Sequence, residues 1–247
     1  MNTSLRVENP WPGAGVYVRE RTVSTMDDAR DLARTGCPPG TVVVAGFQEK
    51  GRGRLPGRAW VSPPWESLLA TVVLSARELR FPLPQLPLRA ALAVSLAIED
   101  AAGIPVRVRW PNDILFSGKK VAGILCEARG DTVLVGLGVN CAQREFPPGI
   151  AAGACSLLMA SGRGPQVFAL LSAVLGRLKE ALDDGGWRER LLARLASMGA
   201  PARVDPLGSG ESVEGIVRGI DADGALVLER GDGAMQRVRQ GEIRAER

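Results

Sequence analysis

The sequence contains no histidine. That absence removes Ser-His-Asp and Cys-His nucleophilic catalysis, histidine-ligated zinc and imidazole acid–base chemistry together. Aromatic residues make up only 4% of the chain, so stacking platforms for single-stranded nucleic acid have little to be built from. Cys37, Cys126, Cys141 and Cys155 stand far apart and form no Cys-x-x-Cys pair. They are expected to be buried apolar fillers rather than a metal centre or a disulfide framework. No apolar run approaches the roughly eighteen residues that a membrane span needs, and the opening MNTSLRVENPWPG has no signal-peptide anatomy. A cytoplasmic protein is expected. Any catalysis must use Arg, Lys, Asp, Asn, backbone amides and a bound ion.

What is present fits a globular chain. Its 247 residues suffice for one large domain, or one domain with a small appendage. The hydrophobic fraction of 45% and charged fraction of 23% are ordinary. A formal net charge of +4, carried almost wholly by arginine, favours anionic partners such as phosphates without by itself indicating nucleic acid.

STMDDARDLARTG predicts a helix with Ser24 or Thr25 as N-cap, Asp27 and Asp28 in its first turn and Gly36 as terminator. Residues 41–48 and 67–75 read as buried strands that pair with each other. The apolar run ending at Gly103 predicts a core helix, and VRVRW (106–110) alternates as a strand with one wet face. KVAGILCEA, RGD and TVLVGLGVNC predict an antiparallel hairpin. Helix is expected from Pro165 to Leu182 and again from Trp187 to about Met198. Beyond residue 200, short apolar stretches separated by DADG and GDG predict a small all-β barrel docked on the rest. The class is α+β, with a first domain over 1–200 and a second over 201–247.

Four stretches can carry chemistry. In QEKGRGRLPGRAW (48–60), Gly51 and Gly53 free the backbone to turn amides toward an anion, and Arg52, Arg54 and Arg58 supply forked donors. It is neither a Walker A loop nor a dinucleotide fingerprint. A solvated basic loop is the competing reading. In WPND (110–113), Asn112 and Asp113 sit on a turn after a strand, where a plain Asx turn competes. In GKKVAGILCE, Lys119 and Lys120 enter an apolar strand bearing Gly123, so one could grip a substrate carboxylate. In GLGVN the glycines permit close approach and Asn140 ends a strand, although they serve sheet packing equally well.

Taken in order, STMD, FQEKGRGR…GRAWVSP, RWPNDILF, KKVAGILCE and VGLGVNC resemble the biotin protein ligase family over residues 20 to 142. GIVRGIDADGALVLERGDG…VRQGEI resembles that family's SH3-like barrel. The resemblance implies a class II synthetase-like catalytic domain with a mixed sheet, and a cytoplasmic enzyme using biotin and ATP with Mg²⁺. Biotin becomes biotinyl-5′-adenylate, and its acyl group then passes to a lysine of a biotin carboxyl carrier protein. Such chemistry requires charge neutralisation and orientation rather than a protein nucleophile.

By resemblance, Ser24 and Thr25 contact the ureido ring of biotin, and Met26 stands where many members carry Asn. Gln48 lies beside biotin; Arg52, Gly53 and Arg54 form a mobile flap over biotin and the adenylate phosphate. Trp60 lies near adenine, Lys120 contacts the biotin carboxylate and α-phosphate, Gly123 lines the biotin pocket, and Asn140 lies near the nucleotide. The ATP set is thus Arg52, Arg54, Trp60, Lys120 and Asn140. Arg54, Lys120 and Asp113 are the catalytic candidates, with the role of Asp113 open between base and Mg²⁺ contact; no side-chain cluster suggests a metal site. RLPGRAW is one residue longer than the commoner loop, and Trp65 replaces a usual glycine, either narrowing the pocket mouth or lying on the surface.

Some twenty residues precede Ser24, too few for a winged helix-turn-helix, so a monofunctional ligase that does not bind DNA is expected. No membrane partner is expected, and a homodimer is left open. The alternatives are a lipoate or octanoate ligase or transferase of the same fold, a nucleic-acid-binding module, and a catalytically dead biotin binder.

Overall fold

A computed structural model describes residues 7–55, 57–207 and 210–244; Pro56 of the longer arginine loop and Gly208 lie outside them. Its frame is a mixed seven-stranded sheet. In chain order the first elements are β1 (Val16–Thr22), α1 (Thr25–Arg34), β2 (Val42–Gln48), β3 (Gly51–Arg52), β4 (Ala59–Trp60), β5 (Ser67–Ser75) and α2 (Leu86–Ala102). Then come β6 (Arg107–Arg109), β7 (Asp113–Phe116), β8 (Lys119–Arg129), β9 (Thr132–Asn140), α3 (Pro148–Ala151), α4 (Leu157–Ser161), α5 (Val167–Asp183) and α6 (Trp187–Leu192). The strands line up as β1-β2-β5-β9-β8-β7-β6, with β1 parallel to β2 and the rest antiparallel, while β3 and β4 pair as a separate hairpin.

Successive side chains of a strand point to opposite faces, and the two faces of this sheet are covered differently. Val42, Val44, Val72 and Val135 pack with α2 and α5 in the main core, whereas Val43, Val73 and Leu134 pack with Met26 and Ala29 of α1. Helix α2 is buried along most of its length, as its apolar composition predicts, and stops where Gly103 adopts φ +66°. Helix α1 begins after Ser24 as expected, but the Ser24 hydroxyl makes no cap hydrogen bond.

The second expected helix after Pro165 is shorter than its pattern suggests. It ends at Leu192 because the following backbone pairs with β6: the Val108 N–H donates to Arg194 O and the Ala196 N–H to Val108 O. Strand β1, whose VYVRERT is too charged to read as buried, is an exposed edge strand. Trp65, at φ +60°, packs on Gly46 and Phe168 and donates to Glu20, lining neither chamber of the site below. All four cysteines are free; Cys141 and Cys155 are buried, and burial pushes the Cys141 thiol up to about 12.

The C-terminal strands are β10 (Pro201–Asp205), β11 (Val213–Ile220), β12 (Leu226–Glu229), β13 (Met235–Val238) and β14 (Glu242–Ile243). They form an antiparallel five-stranded sheet in the order β13-β12-β11-β10-β14; among the described residues no pairing of β13 with β14 closes it into a barrel. It docks where α2 begins and β6 ends: Gln85 Nε2 donates to Ala222 O (2.7 Å) and Trp110 Nε1 donates to Gly224 O (3.0 Å). Gly224 is required there: at φ +89°, a Cβ would lie 3.0 Å from the Pro84 carbonyl oxygen. No helix among the described residues is long and apolar enough to cross a membrane.

Candidate active site: two chambers over a glycine floor

The face of the sheet that carries α1 is only partly covered by it. Past the helix, Gly123 of β8 lies opposite Gly138 of β9, and Gly138 opposite Leu69 of β5. Missing side chains make this strip a floor. The Trp60 indole, delivered by the β3–β4 hairpin, lies across it, so that a Cβ on Gly138 would stand 2.8 Å from the ring and one on Gly123 3.2 Å. The Trp60 Nε1 donor is buried and has no acceptor in the described chain.

Two chambers meet at this indole. The narrow one, about 60 Å³, is lined by Ser24, Thr25, Met26, Gln48, Arg52 and Gly123 among others. The larger, about 330 Å³, is lined by Asp113, Asn140, Phe146, Ile150 and Glu242 among others. Gly53, Arg54, Trp60, Asn112 and Lys120 belong to both. Every residue expected around biotin therefore lines the narrow chamber. Of those expected around ATP, Arg54, Trp60, Lys120 and Asn140 line the larger one, and Arg52 lines the narrow one alone.

At the inner end, the Thr25 N–H and Oγ1 both donate to Gln48 Oε1 (2.7 and 3.0 Å), and Thr71 Oγ1 donates to Thr25 Oγ1 (2.8 Å). Met26 fills the space that Gly136 leaves, since a Cβ there would lie 2.8 Å from its sulfur. This end is polar on one side and a thioether on the other.

The shared wall concentrates charge. Lys120 Nζ stands 2.5 Å from Asp113 Oδ1, and Arg109 Nη2 donates to Asp113 Oδ2 at 2.8 Å. Burial opposes ionisation of Asp113, yet the Lys120 charge and the hydrogen bonds from Arg109 and Lys120 hold its carboxyl below the ordinary value of 3.8. With both oxygens engaged by cations, Asp113 is a weak base and a poor metal ligand. Among the described residues no cluster of three acidic or cysteine side chains could hold a metal ion, so a protein-built Mg²⁺ cage does not fit this site.

The described residues of the arginine window are tied by hydrogen bonds and ion pairs. Gly51–Arg52 pairs with Ala59–Trp60, and the Gly53 N–H donates to Arg58 O at 2.8 Å. Arg52 donates to Asp27 (2.7 Å), Arg58 forks onto Glu242 (2.8 and 3.1 Å), and Arg54 donates to the Gly241 carbonyl (2.7 Å). Among the described residues Arg54 alone of the three has no carboxylate within ion-pair distance; burial depresses its pKa, opposed by the charges of Glu242 and Asp113. Asn140 turns inward: its Nδ2 donates to Cys155 O (3.0 Å) while Gln143 Nε2 donates to its Oδ1 (3.2 Å).

Sequence reasoning missed Arg109, Gln143, Thr71 and Glu242. The alternation of VRVRW contained a signal for Arg109, because it puts Arg107 and Arg109 on one face of β6. No local signal marked Glu242, which reaches the window from 184 residues away.

The chain matches the biotin/lipoate A/B protein ligase family over residues 18–142 and the biotin protein ligase C-terminal domain over 206–244. It is 37% identical over 239 residues to the biotin–[acetyl-CoA-carboxylase] ligase of Paracoccus denitrificans, covering 90% of this chain and 97% of that protein. It is 34% identical to the bifunctional ligase/repressor of Bacillus subtilis, covering 85% of this chain and 68% of that protein. The biotin protein ligase of Aquifex aeolicus, solved in complex with biotin and ATP, superposes with a TM-score of 0.82 at 31% identity, over 93% of this chain and 97% of that one. With these matches spanning both sheets and the site between them, the chain belongs to the biotin/lipoate A/B protein ligase family, among its biotin protein ligases.

Proposed function

We propose that this chain activates biotin with ATP as biotinyl-5′-adenylate and transfers the biotinyl group to a lysine of a biotin carboxyl carrier protein, that of acetyl-CoA carboxylase or a related carboxylase. One observation carries the reading: a narrow chamber with a polar inner end opens beside a larger one at a wall built from Arg54, Trp60 and Lys120. Biotin lies in the narrow chamber, with its ring toward Ser24, Thr25, Met26 and Gln48 and its carboxylate toward Lys120 and Arg54, past Arg52, Gly53 and Gly123. ATP lies in the larger chamber by Trp60 and Asn140.

The chemistry balances without a protein nucleophile. A carboxylate oxygen of biotin attacks the α-phosphorus, and pyrophosphate leaves. The carrier lysine, as free amine, then attacks the acyl carbon; AMP leaves, and the lysine nitrogen loses a proton to water or to the departing phosphate. Lys120 and Arg54 offset charge on the two anions as they approach. Asp113 orients Lys120, a role better matched to its lowered pKa than general-base work. Asn140, with its amide engaged inward, holds the Lys120 strand against the Cys155 segment and shapes the wall. Mg²⁺, when present, accompanies the triphosphate and neutralises its charge.

We further assign catalysis to residues 1–200 and a supporting β domain to 201–247, the latter supplying Glu242 and the Gly241 carbonyl to the window. A cytoplasmic location follows from the use of ATP. A homodimer is compatible with this assignment and is not required by it. Lipoate or octanoate transfer is the weaker reading, because a cyclic urea can exchange hydrogen bonds with the polar end built from Ser24, Thr25 and Gln48, whereas a dithiolane or an alkyl chain offers that end no hydrogen-bonding group. Nucleic-acid binding is weaker still, since Arg52 and Arg58 are neutralised by Asp27 and Glu242. The test is incubation with radiolabelled biotin, ATP, Mg²⁺ and a carrier domain, with labelled lipoate in parallel. Label from biotin alone supports the proposal; label from lipoate alone, or from neither, rejects it.

A further inference from the structure

We propose that Asp27 is the positioning residue for Arg52, fixing its guanidinium at the mouth of the narrow chamber; this rests on the ligase reading above. Asp27 follows Met26 in the first turn of α1, so its carboxylate emerges beside the chamber. Asp27 Oδ1 accepts from Arg52 Nη2 at 2.7 Å and from Arg30 Nη1 at 2.5 Å, and Arg30 Nη2 reaches Glu127 Oε2 at 2.6 Å. The result is a charge-balanced chain, Arg52–Asp27–Arg30–Glu127, running from the window across α1 to β8.

The window needs such an anchor. Strand β3 contains only Gly51 and Arg52, and the Arg52 side chain is 40% exposed. A long cationic side chain in that setting samples many rotamers unless something holds it. The other two window arginines are tied to the C-terminal sheet; Arg52 alone is tied to the helix that covers the narrow chamber. A guanidinium carries five N–H donors, and among the described residues only Asp27 accepts from Arg52, using one of them. The rest remain available to an incoming carboxylate. Asp27 therefore does not touch substrate; it decides where Arg52 stands when substrate arrives.

The experiment is a double-mutant cycle on pyrophosphate release, with Asp27→Asn, Arg52→Gln and the pair combined, and Arg30→Gln as the structural control. Each single variant is expected to raise the biotin KM about fivefold, the scale of a part-exposed ion pair. For Asp27→Asn the change in kcat is expected to stay within about twofold. The combined variant is expected to be no worse than Arg52→Gln alone, because Asp27 acts on substrate only through Arg52. Arg30→Gln, which breaks the Arg30 pairs with Asp27 and Glu127 but keeps the Asp27–Arg52 contact, should leave the biotin KM within about twofold of the parent. An unchanged KM in Asp27→Asn, additive effects in the pair, or an equal effect of Arg30→Gln would each overturn the proposal.

Hydrogen exchange over residues 50–54 in the ligand-free protein reads the same contact without turnover. Asp27→Asn should accelerate it, and Arg30→Gln should not; equal protection in all three proteins sinks the claim. If the parent protein releases no pyrophosphate with biotin, the functional reading fails, and exchange alone decides the role of Asp27.

Discussion

Lys120 Nζ lies 2.5 Å from Asp113 Oδ1 across the β7–β8 pair, and Lys120 reaches both chambers while Asp113 reaches only the larger. The ammonium is thus held at the junction by a carboxylate that stands back from the narrow chamber.

Replacing Lys120 with Ala should lower biotin-dependent pyrophosphate release by about 10²–10³-fold, as for loss of one donor aimed at developing charge. Thermal unfolding should move little, because Asp113 keeps its bond to Arg109. A variant retaining more than a tenth of the parent rate would mean that the α-phosphate lies elsewhere.

Asp113→Asn should destabilise the fold, because Arg109 and Lys120 would face each other without their shared carboxylate. The loss should be about 2 kcal/mol, below the usual range for a buried pair because Lys120 is partly exposed. The folded-state pKa of Asp113 lies below the unfolded value near 3.8, so its contribution is complete above about pH 4 and fades as pH falls through the folded pKa. Urea midpoints of the two proteins should therefore differ at pH 6 and converge as pH falls below 3.8 through the folded-state pKa. A gap that stays constant would assign the loss to packing.

Arg54→Ala removes the one window arginine that has no carboxylate partner among the described residues. The adenylate should then escape, biotinylating bystander lysines while carrier labelling falls by about tenfold or more. Full retention of the intermediate would argue against a closing role for the window.

Gly138→Ala would set a methyl 2.8 Å from the Trp60 ring and push the indole off its floor. Overpacking of this kind costs about 1–3 kcal/mol. Biotin binding should weaken, and tryptophan emission should report a wetter indole. Unchanged emission and affinity would show that the ring can slide without consequence.

How far the sequence reached can be judged element by element. The hairpin of β8 and β9 was legible because both strands are apolar runs joined by a short polar turn. Helix α2 was legible because its apolar run ends on Gly103. Strand β1 was not, since VYVRERT lies at a sheet edge where burial imposes little pattern. The end of α6 was not, because a pairing with β6, more than eighty residues upstream, stops it. In the site, the arginines, Asp113, Lys120 and Gly123 were legible as chemistry in order along the chain. Which window arginine has no carboxylate partner among the described residues was not, because Asp27 and Glu242 claim Arg52 and Arg58 from other elements.

By itself, the order of residues determined the long apolar helices and strands, the absence of imidazole chemistry and the identity of the groups that could meet two anions. Only the folded chain decided that Trp60 bridges Gly123 and Gly138, that Arg109 shares Asp113 with Lys120, and that β14 closes on the arginine window. Propensity and periodicity act over a few residues, whereas a Coulombic contact depends on distance in space and ignores separation along the backbone.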